Sequence, residues 1–189
     1  MSFDTTAINQ QRHRFEGSKS VWLFAYGSLI FKPDFEFIEV RPARIHGWVR
    51  RFWQGSHDHR GTPAAPGRVV TLVPQADQTC DGLAYRITPT VFDQLDHREK
   101  NGYLRMQLSL EFADGSSNAG LVYIADASNA AYLGPATEPA IAQHIAKASG
   151  PSGTNRAYLL QLAEALRLLG KRDDHVFAIE HYLQQADAS

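Results

Sequence analysis

One cysteine, Cys80, occurs in 189 residues. No intrachain disulfide can form, and a single thiol suits a reducing compartment, the cytoplasm, better than a secreted cross-linked scaffold. A chain this long buries roughly two thirds or more of its unfolded surface, so its core needs no disulfide or metal to be stable. Long apolar runs are missing too. The most apolar early stretch, Val21 to Phe31, is broken by Tyr26-Gly27-Ser28 and has about half the length of a spanning helix, which argues against a membrane protein. The first twenty residues carry Arg12 and Arg14 without an apolar segment of signal-peptide length, so nothing there marks export. Charge of one sign is scarce: the formal net charge is −1, without the basic balance of a nucleic-acid binder.

What remains is ordinary. With 43% hydrophobic and 21% charged residues the chain has the composition of one globular domain. Residues 1–19 lack periodicity and read as a flexible N-terminal leader outside the core, leaving 20–189 as a single domain. Charge is uneven in one place. Six arginines (Arg41, Arg44, Arg50, Arg51, Arg60 and Arg68) face one acidic residue, Asp58, between positions 41 and 68. That excess either meets an anion or is spread over a solvated sheet face and paired with carboxylates elsewhere.

Val21-Trp22-Leu23-Phe24-Ala25-Tyr26, stopped by Gly27-Ser28, reads as a strand buried on both faces. Ile45–Phe52, Arg68–Val73 and Gly82–Ile87 are rich in β-branched and aromatic residues and give three more. Leu104, Met106, Leu108, Leu110 and Phe112 alternate with Arg105, Gln107, Ser109 and Glu111, the period of a half-buried strand. After the turn at Asp114-Gly115-Ser116, Gly120–Ile124 returns as an antiparallel partner. Thr88-Pro89 resembles a capped helix start, and Val91 and Leu95 carry the helix to Asn101-Gly102. Thr137-Glu138-Pro139, Thr154 and Asp173 or Asp174 open three later helices. Strands come first and most helices last, which is α+β rather than a regularly alternating parallel fold.

Several chemistries lack their motif. Ser28 is not in a Gly-x-Ser-x-Gly elbow, and no nucleotide-binding glycine loop follows a strand. His57-Asp58-His59 has ligand types, but adjacent loop residues seldom converge on one ion, so no metal site is expected. Gly150-Pro151-Ser152-Gly153-Thr154 precedes a helix and either holds an anion on free backbone N–H groups or is a plain connector between helices. Two constellations remain. Tyr26-Gly27-Ser28-Leu29 follows a buried strand and offers successive N–H groups around a glycine, a nest for a carboxylate or oxyanion or else a plain turn. Leu95 to Tyr103 runs from a charged helix end through Glu99 and Gly102 into the best strand. It reads as a solvated terminus laced by ion pairs, or as the mount for one catalytic carboxylate.

Val21 to Ile30, Arg50-Arg51-Phe52-Trp53-Gln54-Gly55-Ser56, Asp58-His59-Arg60-Gly61, Pro66 to Val73, Arg98-Glu99-Lys100-Asn101-Gly102-Tyr103, Tyr132-Leu133-Gly134-Pro135-Ala136 and Gly150-Pro151-Ser152-Gly153 together resemble the ChaC family, the glutathione-specific γ-glutamylcyclotransferases. The resemblance covers about residues 21 to 185. It implies a small mixed β-barrel flanked by helices, no cofactor, and conversion of glutathione to 5-oxoproline and cysteinylglycine. It places the catalytic glutamate at Glu99 and the γ-glutamyl-binding loop at Leu23, Phe24, Ala25, Tyr26, Gly27, Ser28 and Leu29.

The chemistry fits those residue types. The α-amine and γ-carbonyl of a γ-glutamyl group belong to one residue, so lactam formation is intramolecular and chiefly requires a folded rotamer. The amine is mostly ammonium at neutral pH, so a base must take its proton and return one to the leaving nitrogen; Glu99 is assigned both transfers. Burial would raise the carboxyl pKa, with the substrate ammonium pulling the other way. Backbone N–H groups near Tyr26, Gly27 and Ser28 are candidates for the γ-carbonyl oxygen or the α-carboxylate. Tyr103 either orients Glu99 or the substrate, or packs in the wall. Arg60 and Arg68 are candidates to attract the glycyl carboxylate. The alternatives are cyclotransfer on other γ-glutamyl peptides or amines, and a non-catalytic γ-glutamyl-binding protein.

Overall fold

The computed structural model describes residues 4–13, 15 and 17–187. Its chain forms two compact units, Met1–Val49 with Leu72–Ala130 and Arg50–Thr71 with Ala131–Ser189. No linker betrays this division in residues 20–189, because two of the crossings lie inside strands: β2 (Glu39–Ser56) passes between Val49 and Arg50, and β3 (Gly67–Ile87) between Thr71 and Leu72.

A closed five-stranded barrel, in the order β1-β3-β2-β4-β5, organises the sheet; β1 is Val21–Ala25, β4 Leu104–Phe112 and β5 Ser117–Ile124. Antiparallel ladders join β1 to β3 (Leu23 opposite Tyr85), β2 to β4 (Ala43 opposite Phe112) and β4 to β5 (Leu108 opposite Gly120). The ring closes through one parallel pair, Trp22 and Leu23 of β1 beside Gly120 and Leu121 of β5, which makes the barrel mixed. Leu23, Ile45, Ala84, Ile87, Leu110 and Val122 are fully buried in this unit. Apolar side chains at alternate strand positions drive closure, each worth about 1.5–3 kcal/mol when fully removed from water. The run Val21–Tyr26 behaves as expected, with Leu23, Phe24, Ala25 and Tyr26 all buried.

Two expected strands, Arg68–Val73 and Gly82–Ile87, are one. Residues 74–79 between them are mostly exposed and lack an apolar pattern, and Asp77 has a φ of 62°. Continuity here is a property of the backbone ladder, which side-chain hydrophobicity does not report. The helix α3 (Val91–Arg98) begins later than Thr88-Pro89 implies. The carbonyls of Thr88 and Pro89 first accept Val91 N–H and Phe92 N–H, both at 3.1 Å, in a turn that precedes it.

Residues 1–19, read as lying outside the core, contribute a helix, α1 (Thr6–Arg12), and two buried residues, Thr5 and Asn9. Asn9 donates through Nδ2 to the Tyr103 carbonyl (3.0 Å) and accepts the Arg105 N–H at Oδ1 (2.8 Å). The Thr5 hydroxyl donates to the same Tyr103 carbonyl at 2.8 Å. The docking is made by hydrogen bonds, so a search for apolar periodicity misses it.

In the second unit, α4 (Glu138–Lys147), α5 (Asn155–Leu168) and α6 (Asp174–Asp187) pack around Phe52, Ile141, Ile145, Leu159, Leu162, Leu166, Val176, Ile179 and Leu183, all fully buried. Their starts are those read from the sequence. Thr137 Oγ1 accepts Ala140 N–H, Thr154 Oγ1 accepts Ala157 N–H at 3.1 Å, and Asp173 Oδ1 accepts Val176 N–H at 3.1 Å. The Gly150–Thr154 connector is a two-stranded turn, β6 (Ser149–Gly150) against β7 (Gly153–Thr154). Among the described residues no helix is long and apolar enough to cross a membrane.

Gly82 lies where β3 passes tightly against the end of β1. A Cβ there would stand 2.2 Å from the Ala25 carbonyl oxygen and 2.9 Å from the Phe24 ring. Gly82→Ala must push the two strands apart and should cost about 1–3 kcal/mol, measured by chemical denaturation. A variant as stable as the parent would contradict this register.

Candidate active site

The segment after β1 leaves the ladder at Ala25 and winds into a single helical turn, α2 (Ser28–Phe31), with Ile30 N–H bonded to Gly27 and Lys32 N–H to Ser28. Leu23, Phe24 and Ala25 have their backbones paired with β3 and their side chains buried, so Tyr26 to Leu29 is the part of the segment beyond the ladder. Tyr26 donates its hydroxyl to the Tyr123 carbonyl at 2.7 Å, and Tyr85 of β3 donates to the Leu29 carbonyl at 2.8 Å. Burial pushes the Tyr85 phenol up to about 12, so at neutral pH it remains a donor. The two tyrosines pin the segment at both ends. A ligand can therefore meet a backbone that is already placed.

Glu99 caps the C-terminus of α3, its N–H bonded to Leu95 at 2.8 Å and its side chain 16% exposed. After it the chain reverses at Gly102, whose φ of +88° puts it in the left-handed region that glycine tolerates. A Cβ there would also meet Asn129 Oδ1 at 2.7 Å. The carboxylate and the Tyr26–Leu29 segment lie within reach of one side chain. Arg98 places Nη2 3.0 Å from Ser28 Oγ and Nε 3.6 Å from Glu99 Oε1. Tyr103 is half-buried, and its carbonyl is the acceptor gripped by Thr5 and Asn9.

Three residues before Glu99 on α3 stands a group that sequence reasoning missed. Asp96, fully buried on α3, accepts Arg105 Nε at 2.8 Å, a second Arg105 bond at Nη2, and the Tyr123 hydroxyl at 2.6 Å. Arg105 is buried although it stands on what reads as the polar face of β4. Its guanidinium lies 4.7 Å from the centre of the Phe92 ring. Burial works against the cation, and the bonds from Asp96 and Tyr123 more than offset it, holding the Arg105 pKa above its ordinary value. Tyr123 is pushed far up, by burial first and then by Asp96. The alternation of β4 gave no signal of it, because Arg105, like Glu111, falls at a position where a charged residue is ordinary.

Arg60 and Arg68 belong to the second unit. Both are buried, which pushes their guanidinium pKa values down. Arg60 donates to the Thr154 carbonyl at 3.1 Å, and Arg68 to Phe52 (2.9 Å) and Gly134 (3.0 Å). Among the described residues no group of three or more His, Cys, Asp and Glu side chains is arranged to hold a metal.

Residues 21–186 match the family model described as ChaC-like protein. The chain belongs to this family. Two relatives of the ChaC-like chain show how far the likeness extends. A protein named gamma-glutamylcyclotransferase 2-3 from Arabidopsis thaliana is 44% identical over 185 residues, spanning 89% of this chain and 92% of the relative. Glutathione-specific gamma-glutamylcyclotransferase 1 of Danio rerio is 41% identical over 175 residues, 87% of this chain and 89% of its own. A crystal structure of the yeast gamma-glutamyl cyclotransferase specific to glutathione superposes with a TM-score of 0.83 at 31% identity, covering 89% of this chain and 97% of that one. The small mixed barrel with accompanying helices is thus the fold of this ChaC-like chain.

Because Asp96 anchors α3 to β4 and β5, its loss should be felt as stability. Asp96→Asn leaves a buried guanidinium without its counter-charge and should cost about 3–5 kcal/mol in denaturant unfolding. Tyr123→Phe should cost less, about 1–3 kcal/mol. An Asp96→Asn protein as stable as the parent would mean that the pair is not closed.

Proposed function

We propose that this chain is a glutathione-specific γ-glutamylcyclotransferase that converts glutathione into 5-oxoproline and cysteinylglycine, with Glu99 moving the protons. The α-ammonium of the bound γ-glutamyl group gives a proton to the Glu99 carboxylate. The freed amine attacks the γ-carbonyl carbon and forms the lactam C–N bond. The original amide C–N bond then breaks as the proton held on Glu99 passes to the leaving nitrogen of cysteinylglycine. The regenerated carboxylate takes the second proton from the ring nitrogen, which becomes the lactam N–H, and hands it to the same amine, which departs as an ammonium. No oxidant, metal or cofactor enters the balance.

The reading is carried by one observation, a carboxylate mounted at the end of α3 and tied through a single guanidinium to the segment that follows β1. In this account Tyr26, Gly27, Ser28 and Leu29 hold the γ-glutamyl head. Backbone N–H groups there meet the charge that grows on the γ-carbonyl oxygen, where each preorganised donor contributes about 2.7–4 kcal/mol in comparable sites. Leu23, Phe24 and Ala25 serve by fixing that segment to the barrel wall, and Tyr103 lines the turn beyond Glu99. Family membership and the glutathione-specific names of the relatives support glutathione over other γ-glutamyl compounds. The lone cysteine, Cys80, buried and free, favours the cytoplasm as the place of action.

Incubation with reduced glutathione alone, followed by mass analysis, should yield 5-oxoproline and cysteinylglycine in equal amounts. Glu99→Gln should keep the far-UV spectrum of the parent and lose activity by about 10²–10⁴-fold. A fully active glutamine variant removes Glu99 from the mechanism. Equal turnover of γ-glutamyl amines that lack the cysteinylglycine portion would defeat glutathione specificity.

A further inference from the structure

Arg98 stands out because its contacts run in two directions. Toward the segment after β1 it donates Nη2 to Ser28 Oγ at 3.0 Å and Nη1 to the Lys32 carbonyl at 3.0 Å. Toward its own helix end its Nε lies 3.6 Å from Glu99 Oε1. One turn earlier on the same face of α3, Gln94 donates Nε2 to the Asp34 carbonyl at 2.6 Å. Positions 94 and 98 therefore dock the helix onto residues 28–34 through polar bonds to Ser28 Oγ and to the carbonyls of Lys32 and Asp34. At 20% exposure, the Arg98 side chain is shielded enough for its charge to matter to a neighbouring carboxylate.

We propose that Arg98 is the positioning residue of the site, a single guanidinium that couples the γ-glutamyl-binding segment to the carboxylate of Glu99. The inference rests on the cyclotransferase reading above and adds a role for a residue that makes no bond to the reacting atoms. Two physical features support it. The guanidinium is a rigid planar fork with five donors, so it can reach Ser28, Lys32 and Glu99 from one place, which a lysine ammonium cannot do. The 3.6 Å separation from Glu99 is longer than a hydrogen bond, so Arg98 acts on that carboxylate mainly through its charge. Such a cation favours the ionised form that must accept the substrate proton.

The other charges near this guanidinium are Asp34, whose Oδ2 is 3.7 Å from Nη1, and Lys32, whose ammonium is 3.8 Å from the same Asp34 carboxylate. Lys100 follows Glu99 in the chain, and His97 precedes Arg98. Asp96 and Arg105 are closed on each other below.

The test compares the pH dependence of kcat/KM for glutathione in the parent, Arg98→Met and Arg98→Lys, each checked by circular dichroism. Arg98→Met should lower kcat/KM by about 10–100-fold, as expected when a reacting group is misplaced by about an ångström. It should also move the acid limb of the profile to higher pH, because the ionised carboxylate has lost its cation. Arg98→Lys keeps the charge and should leave that limb in place, while still lowering kcat/KM and raising KM because one ammonium cannot span the three partners.

An Arg98→Met profile with an unmoved limb overturns the proposal, even if activity falls, since that pattern marks a structural role alone. Arg98→Lys with the kcat/KM of the parent overturns it as well, and decides the matter if the methionine variant does not fold. A parent that makes no 5-oxoproline, or an active Glu99→Gln variant, would instead overturn the cyclotransferase reading itself.

Discussion

The buried bond between Asp96 and Arg105 is the constraint on which the site depends. It takes a carboxylate from α3 and a guanidinium from β4 out of water together, and Tyr123 of β5 completes the carboxylate's partners. Burying either charge alone would cost several kcal/mol, so the two are viable only when closed. Closure fixes the rotation of α3 on the barrel, and with it the direction in which the next turn of the helix presents Arg98 and Glu99. A bond that looks structural thus sets where the Glu99 carboxylate stands.

From this anchor the arrangement follows in short steps. The barrel closes through β1 and β5, which brings the exit of β1 beside the strand that carries Tyr123. Tyr26 and Tyr85 then hold the segment beyond β1 by its own and a neighbouring carbonyl, so its backbone is placed before any ligand arrives. Preorganisation of this kind suits an intramolecular cyclisation, where the enzyme's main task is to select one folded rotamer and to receive a proton. Polar bonds from Thr5 and Asn9 steady the far side of the same turn at the Tyr103 carbonyl.

The places where the sequence reading and the structure part company share a cause. Thr5 and Asn9 dock by hydrogen bonds, Arg105 is buried by a partner nine residues away in the chain, and β3 continues through a polar stretch with no side-chain pattern. Each depends on satisfying backbone or charged groups, and hydrophobic periodicity carries no information about those. Caps were legible for the opposite reason. At Thr137 and Thr154 a side chain bonds a backbone N–H three residues on, an interaction complete within one turn of chain.

Local pattern was enough for the α+β class, for the strand Val21–Ala25 and its Tyr-Gly-Ser-Leu exit, and for the alternation of Leu104–Phe112, since all of these are settled by neighbours within about ten residues. Glu99 could be picked out as a candidate from its chemistry and its family word. Folding alone settled that Glu99 and Ser28, seventy-one positions apart, share one guanidinium, and that Arg105 belongs inside. A linear pattern records which residues prefer water, whereas the partner of a charge is chosen by the distances that a closed barrel imposes.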